Sequence, residues 1–163
     1  MSLFEFCQWL QDSYYSTAIR ESIWVFPILE GSHVLALGLS VGTVIWFDVR
    51  LLGFGLKRYS VSEIFNFIRP WMFGGFAIMT ITGVLLFYAL ALRCYGSSFF
   101  LIKMVLLGFT GVNIAVFHST IDRRRAEWDT AAVPPLRARL AGGVSRMLWV
   151  AIVAVGRLMA YTL

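Results

Sequence analysis

The chain has 163 residues, of which 59% are hydrophobic and 14% charged, against about 25% charged in an ordinary soluble domain. With a mean hydropathy of +0.76 it reads as an integral membrane protein, and its length allows one compact bundle, residues 1–163, with no second folded domain of ordinary size. The net charge of +5 does not point to nucleic acid, because nearly all the basic residues lie in two segments between apolar runs, which is the pattern of membrane orientation.

Leu3, Phe6, Leu10 and Tyr14 recur at helical spacing beside Phe4, Trp9 and Tyr15. That stretch is too short and polar to span, so an amphipathic helix lying at the membrane interface is predicted. Glu5 and Asp12 stand where a cleavable signal peptide needs an apolar core, and no basic start precedes them. Spans are predicted at 23–47, 71–92, 99–118 and 141–161, each near the ~20 residues a bilayer core requires. Trp24 and Trp46 anchor the first, and Pro27 either kinks it or starts its regular part. Ser60-x-x-Glu63 is a capping box opening a short amphipathic helix through Ile64, Phe65, Phe67 and Ile68, ahead of the second span. Residues 93–98 join spans two and three as an antiparallel hairpin, and Pro135 suits the first turn of a long fourth helix. The expected fold is an all-α, four-span bundle with an N-terminal interfacial helix.

Orientation follows from the basic residues. Arg50, Lys57, Arg58 and Arg69 follow span one, and Arg123, Arg124, Arg125, Arg137, Arg139 and Arg146 surround the third loop. The positive-inside rule puts both groups in the cytoplasm and both termini outside. Cys7 and Cys94 then fall together on the outer side, where an oxidising compartment would permit a disulfide; two unpaired thiols are the other possibility.

Glu30, His33, Lys103 and Arg157 are charged or titratable groups inside spans, where an unpaired charge is costly. Glu30, Lys103 and Arg157 share the outer half, so a buried charge cluster is expected, either fixing helix register or serving a relay or an anionic ligand. The histidines are His33 in span one and His118 at the inner end of span three. Two histidines on parallel spans are the minimum for bis-imidazole haem ligation. Their depths differ by roughly 16 Å, so separate sites are the alternative, with Met72 a possible partner for His118. Met104, Gly111 and His118 repeat on one face, where Gly111 leaves room for a flat ligand, and Gly38-x-x-x-Gly42 forms a seam for close helix packing. No CxxC, HExxH, phosphate loop or GxSxG is present.

The pattern Ser22-Ile-Trp24-x-x-Pro27-x-x-Glu30-x-x-His33, Asp48-x-Arg50-Leu-Leu-Gly53, Arg69-Pro-Trp71, Thr82-Gly83-x-Leu-Leu-Phe87, Lys103, Asn113-x-x-x-Phe-His118 and Gly156-Arg157-x-x-Ala-Tyr161 resembles a bacterial family of small four-span inner-membrane proteins of no established function. More distantly, the layout is similar to copper-resistance-D-type proteins and cytochrome-b561-type bundles. The resemblance implies a bacterial inner-membrane protein, in which the orientation read from the basic residues makes both termini periplasmic. The expected function is binding of haem b or a copper ion, in electron transfer or copper handling, with His33, His118 and Met72 as candidate ligands. Glu30, Lys103, Arg157 and Arg69 would tune charge or hold propionates. The alternative is a cofactor-free structural subunit of a membrane complex. The expected partners are the bilayer and further copies or other subunits.

Overall fold

The computed structural model describes residues 2–162, and among them every regular element is a helix, with no strand. Two short helices, α1 (Leu3–Gln11) and α2 (Tyr14–Glu21), precede α3 (Val25–Leu52), α4 (Val61–Ala89), the short α5 (Ala91–Gly96) and α6 (Ser98–Val116). A wide π-type turn (Phe117–Ile121) and a 3₁₀ turn (Asp122–Glu127) continue α6 before α7 (Leu136–Thr162). Among the described residues, four helical segments are long and apolar enough to cross a bilayer: Val25–Leu52, Val61–Ala89, Ser98–Glu127 and Leu136–Tyr161. The chain is a multi-pass membrane protein with an all-α, four-helix architecture.

The expected amphipathic N-terminal helix is two helices. Ser2 and Glu5 form a capping box for α1, and Ser13 caps α2, so the break falls where Asp12-Ser13 offers a new N-cap. Both helices cover the end of α4. Ser16, fully buried, donates to the Tyr88 carbonyl at 2.9 Å, Arg20 Nη1 donates to the Ala89 carbonyl at 3.3 Å, and Ser13 bonds the Tyr88 hydroxyl. The last carbonyls of a helix have no partner within it, and here α2 supplies them.

The second span also differs from expectation. The capping box at Ser60 and Glu63 is present, but the helix it opens runs without interruption through Pro70 to Ala89. Val61, Ile68, Gly75, Thr82 and Ala89 are all buried at seven-residue intervals. That single stripe against α3 holds the helix in register across the proline, whose missing N–H a packed membrane helix tolerates. Pro27 lies in the first turn of α3, where its lack of an N–H costs nothing. Pro135 precedes α7, its carbonyl accepting from Ala138 N and Arg139 N.

In cross-section the spans run in the order α4, α3, α7, α6: α3 packs on α4 and α7, α6 packs on α7, and the α4 and α6 backbones do not approach each other. The bundle is an open arc. Gly75 is its tightest crossing, since a methyl group there would lie 2.9 Å from Ser40 Cβ and 3.0 Å from the Ala36 carbonyl oxygen. At the end carrying the basic loops, Phe47, Leu51, Val61, Ile64, Phe117 and Trp128 form the main apolar core. Arg50 is fully buried beneath it. Its Nε donates to the Tyr59 carbonyl at 3.1 Å and its Nη2 to the Ala131 carbonyl at 2.9 Å, so one guanidinium holds both basic loops.

Candidate functional site

Toward the end bearing the termini, His33 is half-buried on the face of α3 that meets α4. Its Nδ1 lies 3.0 Å from Thr82 Oγ1. The Thr82 hydroxyl donates to the Ile78 carbonyl at 2.7 Å, so the hydrogen between the two side chains belongs to His33 and Nδ1–H is the donor. Gly83 makes room for the ring: a Cβ there would lie 3.2 Å from His33 Cε1.

The expected charge cluster is not assembled around this histidine. Glu30 is exposed and is in ion-pair contact with neither Lys103 nor Arg157. Arg157 lies over the Tyr161 ring, 5.1 Å from its centroid. Lys103 is half-buried, turns its Nζ toward Gly156, and acts electrostatically on His33 and Cys94.

Cys7 and Cys94 are both buried where α1 packs on α5, near enough that Cys7 acts electrostatically on Cys94. The structure holds them as free thiols. Burial pushes the Cys94 thiol up to about 11, with Lys103 opposing the rise and Cys7 adding to it. The thiolate is the reactive form. In reduced protein, Cys94 is therefore expected to alkylate slowly with iodoacetamide at pH 8, with a rate that rises about tenfold per pH unit until the pH nears that value. A rate at pH 8 equal to that of free cysteine would contradict this environment.

The other site lies in the half of the bundle nearest the basic loops. All four spans enclose a cavity of ≈ 380 Å³, within the range of small-molecule sites, about 300–1,000 Å³. Its walls are mostly apolar, among them Phe47, Phe76, Leu107 and Phe117, and its polar members include Asp48, Asn113, Ser145, Trp149 and His118. Met72 and Gly111 line the same space. Gly111 is exposed, and nothing stands within 4 Å of a Cβ placed on it.

His118 stands on the π-type turn, an irregularity frequent at functional sites. Its Nδ1 is 3.0 Å from Asp122 Oδ2, and Arg125 pairs with the same carboxylate. A carboxylate on one ring nitrogen orients an imidazole and leaves Nε2 for another partner. His33 does not line this cavity: from position 33 to Val44, the first α3 residue of the lining, is roughly 16 Å of helical rise. Arg69 is exposed and borders a separate groove with Asn66, Pro70 and Phe73. The structure thus brings His118, Met72 and Gly111 together and leaves His33, Arg69 and the three charged residues elsewhere. Among the described residues no group of three or more His, Cys, Asp or Glu side chains is placed to hold a metal ion.

A family model spanning residues 6–162 matches this architecture from α1 to the end of α7. The chain belongs to DUF6644, a family of unknown function. No curated protein and no solved structure matches it. Membership in DUF6644 covers the whole four-span unit, cavity included, and carries no activity with it.

Sequence reasoning missed Asp48 and Trp149 as members of the site. Asp48 reads as the end of a span, yet it is 2% exposed, within α3 and a full turn short of its end. Trp149 is also 2% exposed. The available signal was its position, mid-span instead of at the headgroup level where membrane tryptophans collect.

Proposed function

We propose that the protein is a membrane-embedded haem- or metal-binding protein whose cofactor, haem b or a copper ion, is held in the inner-half cavity by His118 with Met72, serving electron transfer or copper handling. The observation that carries this reading is the joint lining of one cavity by His118, Met72 and Gly111, with the His118 ring oriented through Asp122. Imidazole and thioether together suit either haem iron or copper, and such a group would supply one-electron chemistry. His118 and Met72 would bind it, and the aromatic walls would exclude water. His33 stands outside this site; its bond to Thr82 gives it a structural part.

The basic loops support a cytoplasmic placement for that end of the bundle, in a bacterial inner membrane with both termini in the periplasm. A second reading, a cofactor-free subunit of a membrane complex or homo-oligomer, is favoured by one observation. Gly31, Gly38 and Gly42 have open space where a side chain would stand, so the small-residue face of α3 remains available to another helix.

An absorption spectrum and elemental analysis of the purified protein separate the two. The expected result is a Soret band or about one copper per chain, lost in His118→Ala, weakened in Met72→Leu and retained in His33→Ala. Colourless, metal-free protein would leave the subunit reading.

A further inference from the structure

The same cavity carries two polar atoms that neither His118 nor Met72 explains. Asp48 Oδ2 and Trp149 Nε1 are buried with no hydrogen-bond partner among the described residues, on side chains that are each 2% exposed and that both line the cavity. A buried polar group left unpaired costs about 1–3 kcal/mol, and such groups are rare enough in native proteins that each calls for a partner. One is an acceptor and the other a donor. They lie close in depth, because Ser145 of α7 and Asp48 of α3 line the same cavity and interact and position 149 is one turn from 145 on α7, about 6 Å of rise.

The cavity is also reachable from the bilayer. The α4 and α6 backbones do not meet, and among the described residues the aromatic contacts between them lie toward the two ends: Phe87 stacks on Phe100 at 5.4 Å on the terminus side, and Phe65 meets His118 at 6.3 Å on the loop side. Between those contacts Phe73 and Ile114, which line the cavity, are exposed on the outer surface of the bundle.

We propose that this cavity is a laterally entered binding site for a lipid-soluble phenol or hydroquinone, whose ring hydroxyls pair with Asp48 and Trp149. A hydroxyl is the group that both donates to Asp48 Oδ2 and accepts from Trp149 Nε1–H. The rest of the molecule must be apolar, because the lining is chiefly Val44, Phe47, Leu51, Phe73, Phe76 and Leu107. Water would satisfy the two polar atoms but would leave those walls wetted. The proposal rests on the cavity and its two orphaned atoms and stands apart from ligation by His118 and Met72.

The test is equilibrium binding of tritiated 4-nonylphenol to the full chain in lipid nanodiscs, with empty nanodiscs as background and nonylbenzene, which lacks the hydroxyl, as competitor. Saturable binding near one per chain is expected, unaffected by nonylbenzene. Trp149→Phe, which keeps a ring in place, is expected to weaken binding about tenfold, the equivalent of one hydrogen bond, and Asp48→Asn to weaken it similarly. Gly111→Leu, whose Cβ enters open space, is expected to abolish binding with the melting temperature retained. Binding no greater than background, equal competition by nonylbenzene, or wild-type affinity in Trp149→Phe would overturn the proposal. The double variant His118→Ala/Met72→Leu separates the two readings. Retained phenol binding with the Soret band or copper lost supports both, whereas absence of cofactor from the wild type removes the cofactor reading and leaves this one.

Discussion

Replacing Arg50 by alanine is expected to unfold the end of the bundle that carries the basic loops. Arg50 is completely buried, and its guanidinium donates to the Tyr59 carbonyl in the α3–α4 loop and to the Ala131 carbonyl ahead of α7. Each hydrogen bond from a charged donor contributes roughly 1.5–3 kcal/mol, and a carbonyl left unpaired in the interior keeps its own desolvation cost. The orphaned Nη1 offsets part of this, because burying that atom already costs something in the native state. A net loss of about 3 kcal/mol or more is expected, read as a large fall in the melting temperature of the detergent-solubilised protein and as new protease cleavage in residues 53–60 and 129–135. Arg50→Lys is expected to recover little, since one ammonium cannot reproduce the planar fork that reaches two separate carbonyls. An alanine variant that melts with the wild type and resists protease at both loops would refute this role.

The second large effect belongs to Gly75, and its neighbour supplies the control. A Cβ on Gly75 meets Ser40 Cβ and N at 2.9 Å and the Ala36 oxygen at 3.0 Å. Two of those three atoms are backbone, which cannot swing aside as a side chain can, so the α3–α4 interface must separate to admit a methyl group. Overpacking of this kind costs about 1–3 kcal/mol. Gly75→Ala is expected to lie in that range and Gly75→Leu beyond it. At Gly74 a Cβ meets nothing within 4 Å, so Gly74→Ala is expected to be neutral or stabilising by up to about 1 kcal/mol through helix propensity. Equal melting temperatures for the two alanine variants would show that the close crossing at Gly75 does not limit stability.

Tight crossing and open cavity are two consequences of one geometry. The glycine draws α4 hard against α3, while toward the loops Phe65, Phe73 and Phe76 of α4 line the cavity. Because α6 is held mainly by α7, widening of the α4/α6 gap would not disturb the α3–α4 interface.

Membrane class, the number of spans and their approximate positions were legible in the order of residues because they depend on local quantities: runs of apolar side chains about 20 residues long, charges between them, and the serine cap at Ser60. Proximity between helices was not legible. The charges of Glu30, Lys103 and Arg157 looked complementary by depth, but depth says nothing of the direction in which a long side chain turns. Pro70 looked like a boundary, and a seven-residue stripe from Val61 to Ala89 overrode it through contacts with α3. His118, Met72 and Gly111 were separately visible as residues able to serve a ligand; that they border a common cavity with Asp48 and Trp149 depends on the order α4, α3, α7, α6. Sequence by itself determined which segments cross the membrane, because crossing is a property of each segment alone. Only tertiary structure decided which polar groups meet, because that depends on the rotation of each helix about its axis, and packing against neighbours sets that rotation.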